Sequence, residues 1–134
     1  MANALYTRGK ANILKNDINM LSNNIKILLV DLADYTFGAA HEFVTDVAGA
    51  SIVGRSGNLA VKTINTDAQF KSDPVVVSGV TGDQFEAIIM YQDTGSDATS
   101  RLIMFQDTGV TGMPLLPDGS DVRITPNASG WFAL

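Results

Sequence analysis

Apolar positions crowd into two runs near the middle of the chain, Gln84-Phe-Glu-Ala-Ile-Ile-Met-Tyr-Gln92 and Arg101-Leu-Ile-Met-Phe-Gln-Asp107. The polar stretch Asp93-Thr-Gly-Ser-Asp-Ala-Thr-Ser100 separates them. Both runs are rich in β-branched and aromatic residues, and the stretch between them is turn chemistry. The pattern predicts two antiparallel strands joined by a hairpin loop. In the first, alternation puts Phe85, Ala87, Ile89 and Tyr91 on one face and Ile88 and Met90 on the other; in the second, Leu102 and Met104 oppose Ile103 and Phe105. Apolar residues on both faces predict a central pair covered on both sides, the spine of a sandwich, with Ile89 and Met104 in the core.

The flanking chain predicts simpler elements. Residues 3–16 read as a helix, with Leu5, Tyr6, Ile13 and Leu14 near one face, Asn3 as its cap and Asn16 near its end. Gly9 in its middle costs about 1 kcal/mol against Ala. It either admits another backbone at close range or is simply tolerated. Residues 17–24 read as a loop or short strand. Ile25-Lys-Ile-Leu-Leu-Val-Asp31 is a strand with Ile25, Ile27 and Leu29 on one face and Leu28 and Val30 on the other. A short helix is expected over 39–47, where Ala40, Phe43, Val44 and Val47 fall at helical spacing and Gly49 would stop it. From Ala50 the pattern shifts to short strands at 51–53, 58–64 and 75–78, with Leu59 and Val61 opposite Lys62 in the second. Residues 109–119 are irregular, Val122 and Ile124 point inward, and Trp131-Phe-Ala-Leu134 either forms a last strand or docks on a neighbour. The fold class expected is mainly β, a β-sandwich or jelly-roll-like double sheet with an N-terminal helix and one short helix. It forms a single domain over 1–134, with the helix at 3–16 and the β-rich body at 25–134.

Composition narrows the choice of partner. At 134 residues with 46% hydrophobic positions, one packed core is feasible. Charged residues are only 17%, a weakly charged exterior compatible with burial in an assembly. A net charge of -5 with nine scattered basic residues argues against a nucleic-acid partner, which needs clustered Lys and Arg. Without cysteine there is no disulfide framework and no thiol chemistry. The N-terminus lacks the layout of a signal peptide, and no apolar run approaches the roughly 18 residues of a membrane span. Synthesis in the cytoplasm and no membrane partner are expected.

Chemical signatures are sparse. Asp93, Asp97 and Asp107 could approach one another and hold a hard cation such as calcium; the preferred reading is that Asp and Gly serve hairpin backbone geometry. Gly54-Arg-Ser-Gly-Asn58 lacks the following helix of a phosphate-binding loop. His41, the only histidine, reads as a surface residue. With one histidine no Ser-His-acid constellation is signalled, and the expectation is a non-enzyme without catalytic, cofactor or metal residues. Gln92-Asp-Thr-Gly95 recurs as Gln106-Asp-Thr-Gly109, two similar strand exits and too little for a repeat architecture.

Several segments together carry a resemblance: Met1-Ala-Asn-Ala-Leu-Tyr6, Ile25 to Asp31 with Ala33-Asp-Tyr35, Gly54-Arg-Ser-Gly-Asn-Leu-Ala60, Val80-Thr-Gly-Asp83, Tyr91-Gln-Asp-Thr-Gly95, Ala98 to Ile103 and Asp107 to Gly112. The chain resembles small structural-module proteins of tailed bacteriophages over nearly its whole length. The resemblance implies a virion component, a capsid decoration or cement protein bound outside the shell of the major capsid protein, located on the capsid surface. A head–tail, tail or fibre accessory module binding a glycan or another ligand is the alternative. A homo-oligomer, taken as a trimer, is expected. The terminal segments carry apolar residues beyond what their elements need, so Leu5, Tyr6, Trp131 and Phe132 are the candidate partner contacts. Trp131 could equally close the protein's own sandwich.

Overall fold

The computed structural model describes residues 3–134; Met1 and Ala2, where the resemblance begins, lie outside the described residues. The two apolar runs form β7 (Ala87–Gln92) and β8 (Arg101–Gln106), paired antiparallel across the 93–100 loop. Every residue of β7 is buried. This strand sits at the centre of a five-stranded sheet. On one side β7 pairs with β2 (Ile25–Val30), which pairs in turn with β3 (Ile52–Arg55); on the other side β8 carries the short edge strand β1 (Ala4–Leu5). A three-stranded sheet is ordered β10 (Phe132–Ala133), β5 (Gln69–Lys71), β4 (Thr63–Ile64), and β6 (Val75–Val77) pairs with β9 (Val122–Ile124). All pairings are antiparallel, as expected for a mainly β chain with short connections.

Each face of the large sheet buries its own apolar cluster. Ile25, Ile27, Leu29, Ile88, Met90, Ile103 and Met104 pack toward the smaller sheets, against Phe70, Val75, Val77, Val122, Ile124 and Trp131. Leu28, Val30, Ala87, Ile89, Tyr91, Leu102 and Phe105 pack beneath Tyr6, Tyr35, Val44 and Val47. Ile89 and Met104 are both core residues, at 0% and 2% exposure. Alternation holds along β2 and β7 but not along β8. Tyr91 pairs with Leu102 while Met90 pairs with Met104, so Ile103 is the extra residue of a β-bulge. The bulge puts Ile103 and Met104 in one cluster and Leu102 and Phe105 in the other, which replaces the expected grouping of Leu102 with Met104. Phe85, just outside the strand, also joins the cluster opposite to that expected, beside its bridge partner Leu115.

The helices differ most from expectation. The N-terminal helix α1 covers Thr7–Leu14 rather than 3–16. Ala4 and Leu5 instead pair with Phe105 and Met104, where backbone groups of β8 need partners. Asn3 is not its cap: its Oδ1 accepts the N–H groups of Asp107 and Thr108, and its Nδ2 donates to the Thr108 carbonyl. Asn16, at φ 63, follows the last turn in the left-handed conformation that suits asparagine at a helix end. Gly9 does admit another backbone: a Cβ there would lie 2.6 Å from the Leu102 carbonyl oxygen. The helix predicted over 39–47 is absent, replaced by single 3-10 turns at Val44–Asp46 and Gly49–Ser51. The Asp46 carboxylate takes the N–H groups of Glu42 and Phe43, and Glu42 and Val44 hydrogen-bond to Leu102 and Ser100. These bonds hold the segment extended along β8 and outweigh its helical periodicity. Within 58–64 only Thr63–Ile64 is a strand, because Val61 takes a positive φ of 55 and stands 67% exposed.

Candidate functional site

Three of the four candidate contact residues, Leu5, Trp131 and Phe132, meet at one end of the spine, while Tyr6 lies on the opposite face of the large sheet. Tyr6 is fully buried, its hydroxyl 2.8 Å from that of Tyr35 and its ring 5.0 Å from Phe37. Trp131 is 3% exposed, packs in the protein's own core and donates from Nε1 to Ser72 Oγ at 2.7 Å. Leu5 and Phe132 are half-buried and line a groove between β1 and β10. Gly130 makes this end possible. At φ +100, where a Cβ would meet the Phe70 carbonyl at 2.5 Å, it lets Trp131 N–H reach that same carbonyl at 2.8 Å.

The groove consists of two adjoining hollows. One, of about 220 Å³, is lined by Leu5, Met104, Trp131 and Phe132 among others. The other, of about 260 Å³, adds the amides Gln69, Gln106 and Asn127, with Ser129. Among the described residues no ionisable side chain lines either hollow. Gln106 is 4% exposed, and its side-chain oxygen is buried without a hydrogen-bond partner. Such an atom is uncommon in a folded core, where buried polar groups are nearly always paired.

Both strands flanking the groove have open edges. Tyr6 N–H bonds to the Ile103 carbonyl, so alternation along the chain turns the N–H and C=O of Leu5 away from β8. Leu134 N–H bonds to the Ala68 carbonyl, which by the same rule turns those of Ala133 away from β5.

The hairpin end, at the other end of the spine, is charged and closed. Lys26 Nζ lies 2.7 Å from Asp93, and the Arg55 guanidinium donates two bonds of 2.7 Å to the Asp97 carboxylate. The hydrogen bond from Lys26, reinforced by Gly95 N–H, holds the Asp93 carboxyl below its ordinary pKa; Arg55 does the same for Asp97. Asp107 follows the opposite strand exit, so the three aspartates considered for calcium do not form one site. Arg55 is committed to Asp97, which removes the cation from the Gly54–Asn58 segment.

Two further clusters lie elsewhere. His41 Nδ1 is 2.8 Å from the Tyr35 hydroxyl, extending the Tyr6–Tyr35 chain toward the surface. Burial, then the bond to Tyr35, raises the Tyr6 pKa far above the ordinary tyrosine value. Asp31, Asp34 and Asp83 can each bring a carboxylate oxygen within 4.8 Å of the others, an arrangement able to hold a hard cation. Sequence spacing hid this trio because Asp83 lies 49 residues beyond Asp34 and reaches it only through the tertiary fold. Among the described residues no helix is long and apolar enough to cross a membrane. No protein-family model matches this chain, and no curated protein matches it either.

Proposed function

We propose that this chain is a structural protein of a virus particle, a decoration protein that binds the outside of the shell built by a major capsid protein. The observation that carries the reading is the sequence resemblance, spread over turns and strand edges from Met1 to Gly112, to structural modules of tailed bacteriophages. Physical features support it. A spine buried on both faces makes a stiff unit, and the hollow beside Leu5, Met104 and Phe132 offers a mainly apolar surface that loses little solvation when covered. Purified particles imaged by cryo-electron microscopy test the proposal. A density of this shape at a repeated lattice position on the shell is expected; its absence from particles that contain every other structural protein would reject it.

A second reading, a tail or fibre module binding a glycan, is favoured by one observation, the amide-lined hollow at Gln69, Gln106 and Asn127. Saturable chemical-shift changes at these residues on titration with neutral oligosaccharides would support that reading over the first.

A further inference from the structure

Burial leaves the tyrosines above the large sheet little choice of hydrogen-bond partner. Among the described residues the fully buried Tyr6 hydroxyl has one bond, to the Tyr35 hydroxyl at 2.8 Å, which in turn lies 2.8 Å from His41 Nδ1. A hydroxyl carries one proton and two acceptor lone pairs. Every proton in this row finds an acceptor only when Tyr6 donates to Tyr35 and Tyr35 donates to a bare Nδ1. The Gly38 N–H, aimed at the Tyr35 oxygen, favours the same direction, since together with the Tyr6 proton it uses both lone pairs there. The half-buried imidazole is the end of the row that solvent reaches. Once protonated, an imidazole carries a proton on both nitrogens and accepts nothing. It then donates to Tyr35 or turns away, and in either case a hydroxyl proton loses its acceptor, at Tyr6 in the core or at Tyr35, which is 5% exposed. A buried donor left unpaired is costly.

We propose that this row is an acid-sensitive latch: protonation of His41 frees residues 35–41 from the aromatic face of the large sheet. Little else fastens the segment. It contains no helix or strand, and Thr36, Ala39 and Ala40 are exposed. Its backbone meets another element through the bond from Thr7 N–H, at the start of α1, to the Ala39 carbonyl. Beyond it the chain stays fixed, because Glu42 and Val44 are bonded to β8 and its hairpin loop. Beneath the segment lies a hollow of about 190 Å³ lined by Leu32, Tyr35, Thr36, Phe37 and Phe105, which release would widen. The charges around His41 do not remove the constraint. Asp46 lies within electrostatic reach of the ring, its carboxylate taken up by the Glu42 and Phe43 N–H groups. The Glu42 side chain meets Asn12 of α1, and Arg101 of β8, which bridges Phe43, donates to Gln92. The two carboxylates favour an imidazolium, yet neither is bonded to a tyrosine hydroxyl and neither accepts the stranded proton. A proton that the closed form can hold only by breaking a bond favours the open form, so closure is complete at high pH and declines as pH falls through the imidazole range. The latch goes beyond the proposed function and does not rest on it.

The test follows hydrogen exchange at the Thr7 amide of the full chain, corrected for the intrinsic effect of pH, between about pH 7.5 and about pH 5.5. The His41 ring is titrated by NMR on the same sample. In the wild type, protection at Thr7 should fall at least about tenfold on acidification, over the interval in which the His41 ring titrates, while the amides of β7 keep theirs. His41→Gln keeps an acceptor for Tyr35 and does not titrate, so its Thr7 amide should be equally protected at both ends of the range. Tyr35→Phe cuts the row, so its Thr7 protection, whatever its level, should not follow pH; this variant decides the matter if glutamine disturbs the turn at Gly38. Wild-type protection at Thr7 that is unchanged across the range overturns the inference. So does a loss that β7 shares equally, a loss that both variants retain, or one that falls outside the interval of the His41 titration.

Discussion

The same four residues, Gln-Asp-Thr-Gly, close both strands of the spine, and the two copies end differently. At the hairpin end the Gln92 amide donates to the Asp17 carbonyl and to Asn23 Oδ1, and accepts from Arg101. Asp93 there holds Lys26 and accepts Gly95 N–H. At the opposite end the Gln106 oxygen lies buried without a partner beside an uncharged groove between two open strand edges. Identical local chemistry therefore produces one finished terminus and one with hydrogen-bonding capacity left over. The difference lies in what the rest of the chain brings to each: a loop with Asn23 and charged partners on β2 and β3, or two short terminal strands.

The largest effect should come from breaking the element the two ends share. Ile89→Ala or Met104→Ala, each removing buried apolar volume from the spine, should cost about 2–5 kcal/mol in chemical denaturation. A loss under about 0.5 kcal/mol would mean that the two ends are not held by a common rigid core.

A sharper comparison makes the same substitution at both ends. Gln92→Leu strands the groups that Gln92 now satisfies and should cost about 1–3 kcal/mol. Gln106→Leu deletes an acceptor that has no partner and should change stability by less than about 1 kcal/mol, in either direction. Equal losses in urea titrations would show that the two exits are energetically alike despite their different surroundings.

The smallest effect is electrostatic and confined to the hairpin end. The folded-state pKa values of Asp93 and Asp97 are depressed, so their contribution is fully present above the unfolded value near 4 and is lost as pH falls through the lower folded values. The pairs are partly exposed, so each should be worth under about 1 kcal/mol. The double variant Asp93→Asn with Asp97→Asn should have a shallower loss of stability below about pH 4 than the wild type. Unchanged steepness would place the acid sensitivity elsewhere, for instance at Asp46, which two backbone N–H groups also hold below its ordinary pKa.

The sequence by itself determined the spine, the β class and the two-sided burial, because these follow from period-two alternation and from the amount of apolar side chain in each run. Ile25 to Val30 and Ala87 to Gln92 could be sorted into faces residue by residue. Where an external backbone competed for hydrogen bonds, local pattern lost. Residues 42–44 were drawn out along β8 instead of coiling, Ala4 and Leu5 became a strand instead of a first helical turn, and a bulge at Ile103 regrouped the faces of β8. Helical periodicity describes which side chains can share a surface; it does not say whether an unpaired strand lies alongside. The candidate site was half legible for the same reason. Apolar excess at both termini pointed to Leu5, Tyr6, Trp131 and Phe132, yet only packing decided that Tyr6 and Trp131 turn inward while Leu5 and Phe132 line a groove. Only the sheet order could reveal that β1 and β10 are edge strands beside one groove, since an edge is a property of what a strand has failed to pair with.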